Sequence, residues 1–172
     1  MHALVAFFDP EAERRIVGLL NNLGVEQSHT PRKPHLTYAA ATTIGPKVRK
    51  ELREDLERLW MPDLWLHTLG TFSTTDNVLM LGAVVDAELL AVHSAIHDVL
   101  ASKVKNPSAY YLPGNWVPHC TLAHGLDDEA MKAAFAAVFP VEPIRAKVRE
   151  VSIVDTQTGE IDVLKKASTA PR

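Results

Sequence analysis

The chain of 172 residues sets 18 lysines and arginines against 21 aspartates and glutamates, for a formal net charge of −3, and holds a single cysteine. That length suits one domain with a substantial core, the acidic balance argues against an extended nucleic-acid footprint, and a lone cysteine excludes a disulfide framework or a cysteine-based zinc site. No signal-peptide pattern and no apolar run of membrane-spanning length is present, so a cytoplasmic protein without membrane contact is expected.

Ala3 to Phe8 is an apolar run ending at Asp9-Pro10, where Asp9 suits a helix N-cap and Pro10 the first helical position. A helix to about Asn22 follows, with Ile16, Leu19, Leu20 and Leu23 at helical spacing and Gly24 as its stop. Gln27 to Lys33 is a polar, basic loop leading into a strand from His35 to about Ala41. A second helix, Pro46 to Trp60, is charged on one face and carries Val48, Leu52, Leu56 and Leu59 on the other. Trp65 to Phe72 and Val78 to Val85 read as strands joined by the polar turn Ser73 to Asn77. After Asp86 a third helix runs to about Lys103. Tyr110-Tyr111 before Pro113-Gly114 marks a loop expected to border a cleft, and the next apolar strand is Trp116 to Ala123. A fourth helix, Asp127 to Phe139, precedes strands at about Ala146 to Val154 and Glu160 to Lys166, and the tail 167–172 is expected to fray.

The order repeats. Strand, Asp, helix, polar loop and Pro-His-x-Thr describes Leu4 to Thr37 and again Leu79 to Thr121, and each motif is followed by a helix, a strand, a polar turn and a strand. Two halves, about 2–85 and 78–166, therefore make one domain over 1–172. The expected fold class is α+β and bilobal, a duplicated unit about a pseudo-two-fold, with two antiparallel sheets lining a central cleft and helices outside. A cleft of that kind is where a ligand belongs.

The motifs themselves are Pro34-His35-Leu36-Thr37 and Pro118-His119-Cys120-Thr121. Side chains alternate along a strand, so His35 and Thr37 share one face while Leu36 and Tyr38 share the other, and the same holds for His119 and Thr121. One His-x-Thr triplet arises by chance roughly half a time in a chain of this make-up. Two copies, both after Pro, both in apolar strands and both at equivalent places in a repeat, carry more weight. Two imidazoles beside one anion suit phosphodiester cleavage without a metal: a neutral ring takes a proton from the attacking water or hydroxyl, and an imidazolium gives one to the leaving oxygen. Thr37 and Thr121 then donate to the non-bridging oxygens, bonds that strengthen as charge builds there. Neither motif contains a carboxylate, which leaves a metal site without support.

In a duplicated frame of this length, Pro34-His35-Leu36-Thr37 and Pro118-His119-Cys120-Thr121-Leu122-Ala123 resemble the 2H phosphoesterase superfamily, in particular its bacterial 2'-5' RNA ligase and RNA 2',3'-cyclic phosphodiesterase branch, over about residues 2 to 166. The resemblance implies a cofactor-free hydrolase that turns 2',3'-cyclic phosphates into 2'-phosphates, with 2'-5' ligation as a side activity. It implies His35 and His119 as the catalytic acid-base pair, with His119 taken as base and His35 as acid, and Thr37 and Thr121 as phosphate-binding residues. Members often continue the second motif as Thr-Leu-Ala-Arg, whereas this chain has His124. Loss of that permanent charge, with the low basic content, points to a small nucleotide or a single RNA end as the partner of a monomer. Phe7, Phe72 and Trp116 are candidates for stacking a base, although each better suits a core or hinge role.

Plainer readings stand beside these. His35 and His119 also fit hydrogen-bonded structural histidines, and Thr37 and Thr121 fit ordinary strand propensity. Cys120, between two cleft-facing residues, should point into the core with no base beside it. His93 and His97 lie four apart on a helix but lack a third ligand, so they read as partly exposed helical residues. His2, His29, His67 and His124 follow no pattern. On the functional side, a non-catalytic nucleotide or RNA-end binding module is the alternative to an enzyme. A binder, however, has no need for two proton-transfer groups.

Overall fold

A computed structural model describes residues 1–167. Among those residues four α-helices pack on a nine-stranded antiparallel sheet. In chain order these are β1 (His2–Phe8), α1 (Pro10–Asn22), β2 (His35–Thr43), α2 (Pro46–Arg58), β3 (Leu64–Gly70), β4 (Leu79–Ala83), α3 (Ala87–Leu100), β5 (Lys105–Pro107), β6 (His119–Ala123), α4 (Asp128–Val138), β7 (Ile144–Ala146), β8 (Val148–Asp155) and β9 (Ile161–Lys166).

Helix starts follow the local chemistry. The Asp9 carboxylate accepts from the N–H groups of Glu11 and Ala12, Asp86 accepts from Leu89, and Asp127 accepts from Ala130. Each satisfies donors that the first helical turn leaves free. α1 stops at Leu23, after which Gly24 takes a φ of +69°, a left-handed conformation that suits glycine. The other Asp9 oxygen accepts from the Lys147 N–H, and the Asp9 N–H bonds the Lys147 carbonyl. Those bonds fall where the strand expected over 146–154 is divided into β7 and β8.

The sheet order is β7-β3-β4-β6-β2-β1-β8-β9, with β5 also paired to β2. The expectation of two separate sheets is thereby corrected: the motif strands β2 and β6 are neighbours and make the sheet continuous. Their junction is narrow, with one registered pair, Leu36 with Cys120. Outward from it, β2 meets β1 and then β8, while β6 meets β4 and then β3. The third strand of each half of the sequence, β3 or β8, thus lies on the other half's side of that junction, two strands out from its motif strand.

All four helices contact the sheet, α1 against β6 and β7, α4 against β4, α3 against β2 and α2 against β9. Leu36, Tyr38, Cys120 and Leu122 point to the packed side and are fully buried. Burial of a Leu side chain of this size stabilises by about 1.5 to 3 kcal/mol, enough to fix which face of each motif strand turns outward. At the edge, Lys165 on β9 donates to the carbonyls of Leu56 and Leu59 at the C-terminal end of α2, 2.6 and 2.8 Å away. Ala167, expected to fray, is bonded through its N–H to the Arg149 carbonyl; residues 168–172 of that tail lie outside the described residues. Among the described residues no helix is long and apolar enough to cross a membrane.

Candidate active site

The register of Leu36 with Cys120 decides the site. In an antiparallel pair the flanking residues match crosswise, so His35 lies across from Thr121 and Thr37 across from His119. All four are half-buried on the side opposite the core, alternating with buried Leu36 and Cys120. Two triplets 84 positions apart become one patch of two imidazoles and two hydroxyls.

Each imidazole is held the same way. His35 Nδ1 lies 2.8 Å from the Lys33 carbonyl oxygen and His119 Nδ1 lies 2.7 Å from that of Val117, in each case two residues back along the chain. A carbonyl accepts only, so Nδ1 carries the proton and the neutral ring is left with its free lone pair at Nε2. Burial pushes both histidines below their usual 6.5, against the backbone bonds, which favour the charged form. His35 is lowered further by the charge of nearby His119.

A phenyl ring meets each imidazole edge-on, but from different elements. Phe7 on β1 is registered with His35, and the ring centroids are 6.3 Å apart. The residue registered with His119 on β4 is Gly82, and there the phenyl comes instead from Phe72 in the loop after β3, at 5.1 Å. A Cβ at Gly82 would stand 3.4 Å from that of Thr68, an ordinary van der Waals contact. Phe7 is buried, with the Lys33 ammonium 4.3 Å from its ring centre.

Trp116 stacks on His93 at 4.0 Å and 4° and tilts against Tyr38 at 5.6 Å. Its indole N–H donates to the Thr37 carbonyl at 2.9 Å. That is a core position, with the ring serving the backbone of a motif strand. The reading of His93 as partly exposed is corrected, since it is only 3% exposed. His93 Nε2 is 2.8 Å from the Tyr111 carbonyl oxygen, and His97 Nε2 is 3.1 Å from that of Tyr38. Burial pushes the Tyr111 hydroxyl up, and nearby Thr37 holds that rise back. Among the described residues no three His, Cys, Asp or Glu side chains group as metal ligands. The pair on α3 props up the site from behind.

A cavity of about 300 Å³ opens beside His119 and Thr121, walled by Phe72, Val117, Tyr110 and Tyr111, with Asp76 and His124 also on its lining. It does not extend to His35 or Thr37. His124 is tied to His29 by two bonds, its N–H to the His29 carbonyl at 2.9 Å and the His29 Nδ1 to the His124 carbonyl at 2.9 Å. Sequence patterning missed both residues, as it missed His93, because the pairing is between distant loops. Cys120 lies on the core side, fully buried, its thiol pushed up to about 12 by burial, which leaves it inert as a nucleophile at neutral pH.

A family model described as the 2'-5' RNA ligase superfamily matches residues 8–160. No curated protein matches the chain.

Proposed function

Because that match spans residues 8–160 of 172, the chain belongs to the 2'-5' RNA ligase superfamily of 2H phosphoesterases, and on that premise we propose that it is a metal-independent phosphodiesterase opening 2',3'-cyclic phosphates, on RNA ends or small nucleotides, to 2'-phosphates. The observation that carries this reading is the register of Leu36 with Cys120, which gives one patch both a pair of proton-transfer groups and a pair of hydroxyl donors.

A water attacks phosphorus and the bond to O3' breaks. One histidine Nε2 takes the water's proton, the other gives its proton to O3', and the two hydroxyls bond the non-bridging oxygens as their charge grows. With a 5'-hydroxyl in place of the water, the same steps join it to the 2',3'-cyclic phosphate through a 2'-5' linkage as the bond to O3' breaks, which accounts for ligation as a side activity. Two observations favour His35 as base and His119 as acid in hydrolysis, the reverse of the assignment taken from the resemblance. His35 is the ring whose charged form is opposed both by burial and by its partner, so the pair's single proton rests on His119. The cavity also lies on the His119 side, which supports a nucleoside and its leaving oxygen on that side.

The test is hydrolysis of the 2',3'-cyclic nucleoside monophosphates, and of a short RNA ending in that group, in EDTA. Wild type should give the 2'-phosphate. His35→Ala and His119→Ala should each lose on the order of a hundredfold or more with the fold kept, and Thr37→Val and Thr121→Val should lose activity in the same direction. Tight nucleotide binding with no product would overturn the proposal in favour of a binding module.

A further inference from the structure

The cavity beside His119 lacks what a second phosphate would need. Of the residues lining it, none is Lys or Arg, and its one carboxylate is Asp76. Its aromatic walls, Phe72, Tyr110 and Tyr111, are of the kind that take a base, since every base offers a π-face to an aromatic neighbour. At about 300 Å³ it is at the lower end of small-molecule sites, room for a nucleoside rather than a longer chain. Asp76 forms no side-chain hydrogen bond or ion pair among the described residues, so both of its oxygens are open to a ligand.

Resting on the phosphodiesterase reading for the position of the phosphate, we propose that this cavity is a nucleobase subsite selective for guanine, with Asp76 reading the base. An ionised carboxylate only accepts hydrogen bonds and offers two oxygens side by side. Guanine is the common base that presents two adjacent donors, N1–H and the N2 amino group, matching that pair. Adenine and cytosine each set an acceptor ring nitrogen next to their amino group, and uracil flanks its one N–H with carbonyls, so each would turn a lone pair towards Asp76. A bidentate side-chain contact to a base discriminates by roughly ten- to a hundredfold.

The experiment compares kcat/KM for the 2',3'-cyclic phosphates of guanosine, adenosine, cytidine and uridine, with wild type and Asp76→Asn, beside calorimetric titrations with guanosine and adenosine 2'-monophosphates. The expected result is at least a tenfold preference for guanosine in wild type, in both turnover and affinity, that collapses in Asp76→Asn. Equal turnover of all four by wild type, or a preference that survives in Asp76→Asn, would overturn the subsite while leaving the phosphodiesterase reading intact. No turnover of any of them, with guanosine 2'-monophosphate still bound preferentially and through Asp76, would do the opposite. Neither turnover nor base-selective binding would overturn both.

Discussion

The Trp116 indole donates its N–H to the Thr37 carbonyl oxygen at 2.9 Å while its face lies flat on His93. A residue three positions before one motif histidine, His119, thereby holds the strand that carries the other, His35. Trp116→Phe keeps most of the ring and deletes the donor, leaving the Thr37 carbonyl without that partner. We expect a loss of about 1 to 3 kcal/mol in urea denaturation and a several-fold drop in kcat from a misplaced Thr37 hydroxyl. Unchanged values for both would show that the bond does no positioning.

The pH dependence of kcat/KM follows from the two lowered imidazoles. Burial favours their neutral forms, so the proton needed on the acid is lost as pH rises through a value below the ordinary 6.5. The base limb of the bell should therefore have its midpoint below 6.5 and the acid limb should lie lower still, the two values belonging to the coupled pair. A base limb above 6.5, or none, would contradict the two-histidine mechanism in this environment.

The alternation within each motif was legible in sequence because a strand repeats every two residues. His35 and Thr37 therefore share a face whatever the rest of the chain does, and the buried Leu36 and Cys120 agree. The continuity of the sheet was not legible, because the pairing of β2 with β6 is non-local and rests on one registered pair. β5 went unseen because Lys105, Asn106 and Pro107 have poor strand propensity and owe their conformation to pairing with β2. The burial of His93 went unseen because the loop that covers it, around Tyr111 and Trp116, arrives from a later part of the chain.

His93 yields a stability prediction. Its ring is held below 6.5 chiefly by burial, against the bond to the Tyr111 carbonyl and with a smaller lowering from His97. The folded state thus binds fewer protons than the unfolded one at mildly acidic pH. Its contribution is complete above 6.5 and is lost as pH falls below it. In His93→Gln the amide can still donate to Tyr111 but does not titrate and cannot stack on Trp116. The variant should be less stable than wild type at pH 7 and lose less between pH 7 and pH 5, with His35 and His119 supplying the remaining slope. An undiminished slope in thermal melts across that range would refute the assignment.

Cys120 lies between His119 and Thr121, which turn to the face opposite the core, yet its role is confined to packing. Its thiol is fully buried and pushed up to about 12, so iodoacetamide at neutral pH should neither modify nor inactivate the folded protein. Cys120→Ala should keep turnover within about twofold, at a modest cost in stability from the small volume removed. Cys120→Leu is the sharper change. It crowds Leu36 at the one registered pair of the β2–β6 junction, where overpacking costs about 1 to 3 kcal/mol, and any splaying there separates His35 from Thr121 and Thr37 from His119. Activity should then fall well beyond what the stability loss explains at a temperature where the variant is still folded. A folded Cys120→Leu variant with wild-type kcat would show that the patch of two histidines and two threonines does not depend on that junction, and with it would go the proposal that one backbone register assembles an active site.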